Sequence, residues 1–267
     1  MSPLPSEPLV LASRNGPVLT LTLNRQKARN ALSEGLMHEL QAGLDAASHD
    51  AAVRVVIIAA NGPAFSAGHD LKEMTPHWKD GDKGSEYFHR LLKQCAWLMQ
   101  TIVHMPKPVI AQVQGIATAA GCQLVASCDL AVAADGASFA TPGVSIGLFC
   151  STPMVALSRN VPRKQAMEML LTGDMVGAER AREIGLVNRV VPASALVEET
   201  QKLAQHIASK SRVSIAIGKE AFYKQAELGL EGAYAFASEV MARNMLEAEA
   251  KEGITAFIDK RQPKWPT

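Results

Sequence analysis

The sequence carries almost no net charge, and it lacks both long basic runs and long apolar runs. Lysine and arginine total 27 against 26 aspartate and glutamate residues, which gives a formal net charge of +1. Surfaces that bind nucleic acid show a basic excess or a basic stripe, so nucleic acid is not an expected partner. No apolar stretch reaches the roughly 18 residues that a membrane-spanning helix needs, so no membrane association is expected either.

Cysteine is scarce, and its four positions form no paired motif. Cys95, Cys122, Cys128 and Cys150 show neither a CxxC pair nor the spacing of a metal site, so we expect no bound metal. Isolated cysteines in apolar surroundings are usually buried and reduced. Residues 1–8 have neither the apolar core of a secretory signal nor the arginines of a transit peptide. These features predict a cytoplasmic protein.

Apolar periodicity indicates an α/β protein. Residues 18–23 alternate apolar and polar side chains, which is typical of a half-buried strand. Ser33 is placed to cap the helix that follows. Residues 53–60 form a β-branched run, which predicts a strand covered on both faces. Residues 75–85 are polar and contain proline and glycine, so they are predicted to form a mobile loop.

The balance of helix and strand changes along the chain. Strand signals dominate the first part, and helical periodicity dominates from residue 163 onward. The 267 residues are enough for one large domain or two small ones. We therefore expect a core domain over residues 1–195 and a helical region over residues 196–267.

Two short segments carry most of the functional signal. Residues 65–72 (FSAGHDLK) and 115–124 (GIATAAGCQL) each indicate a strand that runs through a small-residue turn into a helix. Such turns leave backbone N–H groups unpaired at the start of the helix. Two facing turns would therefore supply a pair of N–H donors for one carbonyl oxygen, which is an oxyanion hole. Either turn alone is common in α/β proteins and serves close packing, but the two in this order favour the functional interpretation.

These segments resemble the enoyl-CoA hydratase/isomerase (crotonase) family, and the resemblance extends from about residue 18 to about residue 265. It implies an α/β fold, the crotonase-type ββα superhelix, with a helical C-terminal region that forms homotrimers or hexamers of two trimers. It implies an acyl-CoA thioester of fatty acid metabolism as substrate and no permanently bound cofactor. In this family the oxyanion-hole N–H groups would belong to His69 and Ala120, while Asp70 is expected to cap the turn that follows.

The positions at which the family keeps its catalytic carboxylates are changed. Hydration of an α,β-enoyl thioester needs one group that activates water and one that protonates the α-carbon, and the family uses two glutamates. Gln123 and Gly143 stand at those positions here. An amide can orient water but cannot accept its proton at neutral pH, and glycine has no side chain. Each general acid or base contributes roughly 10²–10⁴-fold, so we expect little hydratase activity without a substitute.

Several nearby residues are candidates for that substitute. Ser151 and its neighbour Cys150 lie near the loop that steadies water in relatives, although plain loop residues are the alternative because no Lys or His accompanies them. The His69 imidazole has a pKa suited to proton transfer, but the family assigns the chemistry to its backbone. A small anion such as bicarbonate in the gap at Gly143 is another possibility. Four titratable residues lie in or beside the predicted loop: Glu73, His77, Glu86 and His89. Each is either a solvated surface charge or a base that swings over the acyl group.

Two further segments resemble the coenzyme-binding parts of the family. Residues 24–32 (NRQKARNAL) are similar to N-R-P-x-x-x-N-A-L, whose backbone holds the adenine and upper pantetheine, and residues 257–261 are similar to an F-x-x-K-R tail that reaches coenzyme A, sometimes from a neighbouring subunit. No other nucleotide motif is present. The expected coenzyme contacts are Lys27, Ala28, Arg29, Ala67, His69, Asp70, Leu71, Lys72 and Lys260.

Residues 119–129, 138–143 and 147–153 resemble the enoyl-CoA hydratase domain-containing protein 3 branch of the family. The first hypothesis is an acyl-CoA-binding enzyme of the lyase/isomerase type that polarises a thioester between the two backbone N–H groups. The second is a non-catalytic acyl-CoA-binding or regulatory protein. The third is a thioester hydrolase whose water is activated by Gln123 or Ser151.

Overall fold

The computed structural model describes residues 7–265, which form an α/β fold with two sheets. The strands are β1 Val10–Asn15, β2 Val18–Leu23, β3 Val55–Ala60, β4 Ala64–Ser66, β5 Val109–Val113, β6 Ile116–Thr118, β7 Leu130–Ala134, β8 Ser138–Ala140, β9 Val176–Gly177 and β10 Arg189–Val191. The α-helices are α1 Glu34–His49, α2 Leu71–Met74, α3 Ser85–His104, α4 Ala120–Ser127, α5 Ser151–Asn160, α6 Arg163–Thr172, α7 Ala178–Glu183, α8 Leu196–Ala208, α9 Arg212–Gln225, α10 Leu230–Met245 and α11 Ala248–Ile258. Short 3-10 helices span Gln26–Ala28, Thr75–Lys79, Pro142–Ile146 and Ala193–Ala195.

The larger sheet has the strand order β1-β2-β3-β5-β7-β10. β1 and β2 form an antiparallel hairpin, and each later neighbouring pair is parallel. Parallel neighbours need crossover connections, which usually contain a helix. α1 lies in the connection from β2 to β3, α3 in that from β3 to β5, and α4 in that from β5 to β7.

The smaller sheet has the order β4-β6-β8-β9 and determines where the two signature turns lie. β4, β6 and β8 each follow directly on a strand of the larger sheet, so the strand–strand–helix unit occurs three times, whereas the sequence predicted it twice. β4 and β6 are parallel, with Ala64 opposite Ile116 and Ser66 opposite Ala117. Their carboxyl ends therefore lie side by side, and a signature turn leaves each of them.

The core fills both faces of the larger sheet. Val56 and Ile58 of β3 point into the main cluster with α1, α3 and α4, while Val55 and Ile57 point to the other face, which α8 covers with residues such as Ala204. This alternation explains why the β3 sequence is apolar at every position. α8 follows the boundary predicted at residue 195 and still packs on the sheet, and the division of the chain there stays a prediction.

The structure contains most of the predicted strands and helices and adds four. The Ser33 side chain accepts the Leu36 N–H at the start of α1, as the capping prediction required. The sequence did not predict β1, β9, α5 and α10; β1 and α10 expose most of their side chains, so their apolar periodicity is weak. The segment predicted as a loop begins with a 3-10 helix, whose His77 ring stacks on Tyr87 with the ring centroids 3.6 Å apart.

The cysteines are as predicted: all four are buried free thiols. Within residues 7–265, no helix combines the length and the apolar content needed to cross a membrane.

Helix α9 is attached to the core by a buried ion pair. The Lys219 ammonium donates to the Asp129 carboxylate at 2.7 Å, and also to the carbonyl oxygens of Ile102 and Lys107. Tyr223 donates its hydroxyl to the second Asp129 oxygen at 2.9 Å. The Lys219 side chain is only 7% exposed, and burial lowers its pKa. Removing one charge of a buried pair leaves the other uncompensated.

We predict that Asp129→Asn lowers the free energy of unfolding by about 3–5 kcal/mol, because the Lys219 ammonium would remain buried without its counter-ion. Lys202→Met is the control, since its pair with Glu198 is exposed, and its cost should stay below about 1 kcal/mol. Urea unfolding measures both variants. Equal losses in the two would contradict this account of α9.

Candidate active site

The first signature turn connects β4 to the short helix α2. Gly68 has a φ of +90°, a conformation that residues with a Cβ rarely adopt, and it turns the chain so that His69 follows at the rim of the sheet. Asp70 is the N-cap of α2, and its Oδ1 accepts the N–H groups of Lys72 at 3.0 Å and Glu73 at 3.4 Å. The capping role predicted for Asp70 is therefore confirmed.

The second signature turn connects β6 to α4. Ala119 has φ +49° and ψ −119°, and its N–H donates to the carbonyl of Ala140 at 2.9 Å. Ala120 is the first residue of α4 and does not itself adopt a positive φ. The strained backbone position is therefore the alanine before the predicted donor. A non-glycine residue in such a region costs of order 1–3 kcal/mol.

The two turns are in direct contact. A Cβ at Gly68 would lie 3.3 Å from the Ala120 amide nitrogen, and a Cβ at Gly121 would lie 2.2 Å from the Ser66 carbonyl oxygen. Among the residues that the structure describes, neither the His69 N–H nor the Ala120 N–H donates a hydrogen bond. Two unpaired amide N–H groups thus lie on adjacent turns, which is the arrangement an oxyanion hole requires.

The segment at residues 24–32 is hydrogen-bonded to the first signature turn. The Ser66 hydroxyl donates to the Asn30 carbonyl at 2.8 Å, the Ala67 N–H to Arg29 O at 3.0 Å, and the Leu32 N–H to Gly68 O at 2.7 Å. Both parts of the predicted coenzyme site are therefore hydrogen-bonded to each other.

Asn30 organises that segment from inside. It is fully buried with φ +51°, a left-handed position that asparagine tolerates. Its side-chain amide donates to the carbonyl oxygens of Asn61 and Ala64, and its side-chain oxygen accepts the Arg25 N–H. The sequence gives this asparagine no predicted role. Its place inside the 24–32 segment was the available signal, but its partners Asn61 and Ala64 are distant in sequence.

A groove of about 950 Å³ runs between the segment and the turn. Of the predicted coenzyme contacts, all but Lys260 line it; Lys260 follows α11, outside this groove. The lining residues are Glu7, Leu9, Asn24, Arg25, Gln26, Lys27, Ala28, Arg29, Ala31, Ala67, His69, Asp70, Leu71, Lys72 and Glu73.

Arg25 and Asp70 form an ion pair across the groove, which sequence analysis did not predict. Arg25 Nη1 lies 2.6 Å from Asp70 Oδ2 and also donates to the Ala31 carbonyl. Burial alone would raise the pKa of Asp70, but the hydrogen bond and charge of Arg25, with the N–H groups of Lys72 and Glu73, hold that pKa below its usual value. Asp70 therefore stays ionised and fixes the start of α2.

The His69 side chain lies in a different environment. Burial lowers the pKa of the imidazole, an effect that the nearby Leu32 carbonyl partly offsets. Both ring nitrogens are buried and lack a hydrogen-bond partner in the part of the chain that the structure describes. The ring is therefore neutral at pH 7.

The positions predicted for acid–base chemistry carry no free base. Gln123 is buried on α4, one turn after Ala120, and its Oε1 has no partner within residues 7–265. A Cβ at Gly143 would lie 2.8 Å from Leu148 O and 2.9 Å from Cys150 Sγ. The chain at 148–150 therefore fills the space beside Gly143. The possibility of a small anion in that space is wrong.

Three of the remaining substitute candidates, Ser151, Glu73 and His77, form hydrogen bonds with other residues of the chain. Ser151 is exposed, and its hydroxyl donates to the Phe149 carbonyl at 3.3 Å. Burial raises the pKa of the Cys150 thiol, so it is not a thiolate nucleophile at neutral pH. Glu73 accepts the Glu34 N–H, and His77 is paired with Asp80.

We predict that Ala119→Gly stabilises the protein. Glycine removes strain of about 1–3 kcal/mol and adds about 0.5–1 kcal/mol of chain entropy cost, so the melting temperature should rise by about 2–4 °C. Ala126→Gly, within the same helix, is the control and should lower it. Calorimetry measures the melting temperature of both variants. A lower melting temperature in both would show that the backbone at position 119 is unstrained.

We predict that the contribution of Asp70 to stability depends on pH. Because its folded pKa is depressed, that contribution is complete above its unfolded pKa of about 3.9 and is lost as the pH falls through the folded value. Asp70→Asn should cost about 1.5 kcal/mol at pH 7 and progressively less below about pH 4. Urea unfolding at pH 7 and below about pH 4 measures the cost of the substitution, with the exposed Asp174→Asn as the control. A cost of Asp70→Asn that does not vary with pH would contradict the prediction.

Comparisons with known proteins agree with this geometry. The family model described as enoyl-CoA hydratase/isomerase matches residues 13–267. The rat mitochondrial enoyl-CoA hydratase domain-containing protein 3 is 48% identical over 263 residues, which cover 97% of this chain and 85% of the rat protein. The crystal structure of an enoyl-CoA hydratase from Mycobacterium smegmatis is 51% identical, with a TM-score of 0.92 over 98% of this chain and 100% of that one.

The human enoyl-CoA hydratase domain-containing protein 3 has a solved structure that is 47% identical, with a TM-score of 0.91 over 96% of this chain and 100% of that one. The resemblance to this branch and the crotonase-type fold are both confirmed.

The expectation of a cytoplasmic protein is wrong by the same comparison. The rat, human and mouse relatives are all named as mitochondrial proteins. The expectation rested on the composition of eight residues and on reduced cysteines, and neither distinguishes the cytoplasm from another reducing compartment.

The family match includes both signature turns, the groove segment at residues 24–32 and the helical C-terminal region. The chain belongs to the enoyl-CoA hydratase/isomerase family.

Proposed function

We propose that this protein binds an acyl-CoA thioester in the groove and polarises its carbonyl between the His69 and Ala120 N–H groups. The observation that carries the proposal is the pair of unpaired amides on contacting turns, one of which belongs to His69 in the lining of the groove. An unpaired buried N–H is costly to leave unsatisfied, and a carbonyl oxygen between the turns would accept from both. Coenzyme A would then be part of the substrate and not a resident cofactor.

The charges of the groove support a phosphate-bearing ligand. Lys27, Arg29 and Lys72 line it, and none of them forms an ion pair within the described chain. Arg25 is instead committed to Asp70. Three available cations suit the phosphates of coenzyme A, since lysine and arginine are the usual partners of phosphate groups.

The step that follows polarisation of the carbonyl cannot use the two carboxylates of the family. Without carboxylates at 123 and 143, hydration of an enoyl thioester loses the two groups that would each contribute roughly 10²–10⁴-fold. Stabilisation of an enolate needs only the hole and a base. The chain filling the space at Gly143 favours the alternative, a non-catalytic acyl-CoA-binding protein, because no side chain can enter there without displacing Cys150. Thioester hydrolysis gains no support from the local hydrogen bond of Ser151.

We propose a homotrimer, or a hexamer of two trimers, as the assembly. Large apolar side chains on and after the last helices are exposed in the single chain, among them Leu230 (77%), Leu246 (88%) and Phe257 (85%). Exposed apolar patches of this kind mark interaction surfaces. Lys260 lies beside them, so a contact with coenzyme A from a neighbouring subunit is consistent with its place outside the groove.

Infrared difference spectra of crotonyl-CoA labelled with ¹³C at the thioester carbonyl test the hole directly. Two N–H donors lower the stretching frequency of a carbonyl, so the labelled band should shift to lower wavenumber when the protein binds. Calorimetry with coenzyme A alone reports the groove separately. Binding with an unshifted band would contradict the oxyanion hole and leave the groove intact.

Crotonyl-CoA hydration separates the two candidate functions. We expect the wild type to hydrate at least about 10⁴-fold more slowly than a relative with both glutamates. Gln123→Glu should raise the rate, because it restores one carboxylate without a change of size, whereas Gln123→Leu should not. Rapid hydration by the wild type would contradict the assignment of Gln123 and Gly143 as incompetent positions.

A further inference from the structure

Among the described residues that line the groove, His69 is the proton acceptor that is buried and has no hydrogen-bond partner. Asp70 is paired with Arg25 and caps α2, and Glu73 accepts the Glu34 N–H. Glu7 lies at the exposed outer end, before β1. His69 lines the groove, and both of its ring nitrogens are buried without a hydrogen-bond partner in the described chain. A buried polar group without a partner carries a cost, and at a functional site that cost indicates a ligand.

We propose that the His69 imidazole is a catalytic base that removes a proton from the carbon next to the thioester carbonyl. The inference rests on the proposed function, since it requires an acyl-CoA in the groove. The C–H bond at that carbon breaks, and its proton passes to the unprotonated ring nitrogen. The electron pair moves to the carbonyl oxygen, which becomes an enolate oxygen held by the N–H groups of His69 and Ala120. Return of a proton to the carbon completes the cycle.

The geometry favours His69 because one residue can supply both the backbone N–H that holds the carbonyl oxygen and the side chain that accepts the proton. The His69 backbone N–H would hold the carbonyl oxygen, so the side chain of the same residue is close to the carbon bonded to that carbonyl. Both ring nitrogens are buried, and a half-turn about the Cβ–Cγ bond exchanges Nδ1 with Cδ2 and Nε2 with Cε1 with almost no change of ring shape. Such a turn would place a ring nitrogen where a ring carbon now lies on the groove side. Only a neutral imidazole has an accepting nitrogen.

Gln123 would not duplicate such a base. Its buried side-chain oxygen has no partner within residues 7–265, so it can accept a hydrogen bond from a substrate hydroxyl or a water molecule. It cannot take up a proton at neutral pH. Proton transfer therefore falls to His69, and the reaction class is exchange or shift of a proton next to a thioester.

Exchange of hydrogen for deuterium in butyryl-CoA tests the proposal without knowledge of the natural acyl group. The wild type in D₂O should incorporate deuterium at the carbon next to the thioester, as measured by mass spectrometry. His69→Gln keeps the size and hydrogen-bonding capacity but cannot accept a proton, so exchange should fall by roughly 10²–10⁴-fold. His104→Gln, at the exposed end of α3, is the matched control and should exchange like the wild type.

A second variant keeps the test decisive if His69→Gln folds poorly. His69→Ala should also lose exchange, and added imidazole should restore part of it through the space that the ring leaves. Butyryl-CoA binding is measured by calorimetry on every variant. A wild type that binds butyryl-CoA without exchange, or a His69→Gln variant that exchanges at the wild-type rate, would overturn this inference and leave the proposed function standing. Failure of the wild type to bind would overturn both.

Discussion

The close approach of two backbone turns is the constraint on which the rest of this structure depends. Gly121 lies against the Ser66 carbonyl and Gly115 against the Pro63 carbonyl, and a Cβ at either position would come within 2.2 Å of a carbonyl oxygen. Parallel pairing of β4 with β6 sets this approach. Any side chain at those glycines would separate the turns, and with them the two amides that are free to bind one oxygen.

The coenzyme side of the site depends on the same strand. Asn30 bonds to the carbonyl oxygen of Ala64 in β4, and the Ser66 hydroxyl bonds back to Asn30, so the groove and the hole share one rigid support. Asp70 extends that support into α2 through Arg25 and two backbone N–H groups. The parts proposed to bind an acyl-CoA are thus linked to one another, while an amide at Gln123 stands where the family keeps a carboxylate. Proton transfer by His69 would give this arrangement a reaction of its own.

The sequence predicted the parts of this structure that local patterns specify. The N-cap at Ser33, the helix at residues 163–172 and the two signature turns follow from periodicity, capping and small residues over a few positions. The sequence could not predict features that depend on tertiary contacts. Three examples are the filling of the space at Gly143 by Cys150, the partners of Asn30 and the absence of a partner for the His69 ring in the described chain. The sequence did not predict helix α10 because most of its apolar residues face outward. Its residues therefore form no buried apolar stripe within this chain.

The central claim is that one carbonyl oxygen binds both amides, and a crystal structure with butyryl-CoA tests it most directly. The account predicts that the thioester oxygen lies within about 3.2 Å of both the His69 and the Ala120 amide nitrogen, with the coenzyme phosphates beside Lys27, Arg29 or Lys72. A thioester bound in the groove with its oxygen away from either amide would contradict the account. The unpaired N–H groups would then serve only the packing of the two turns.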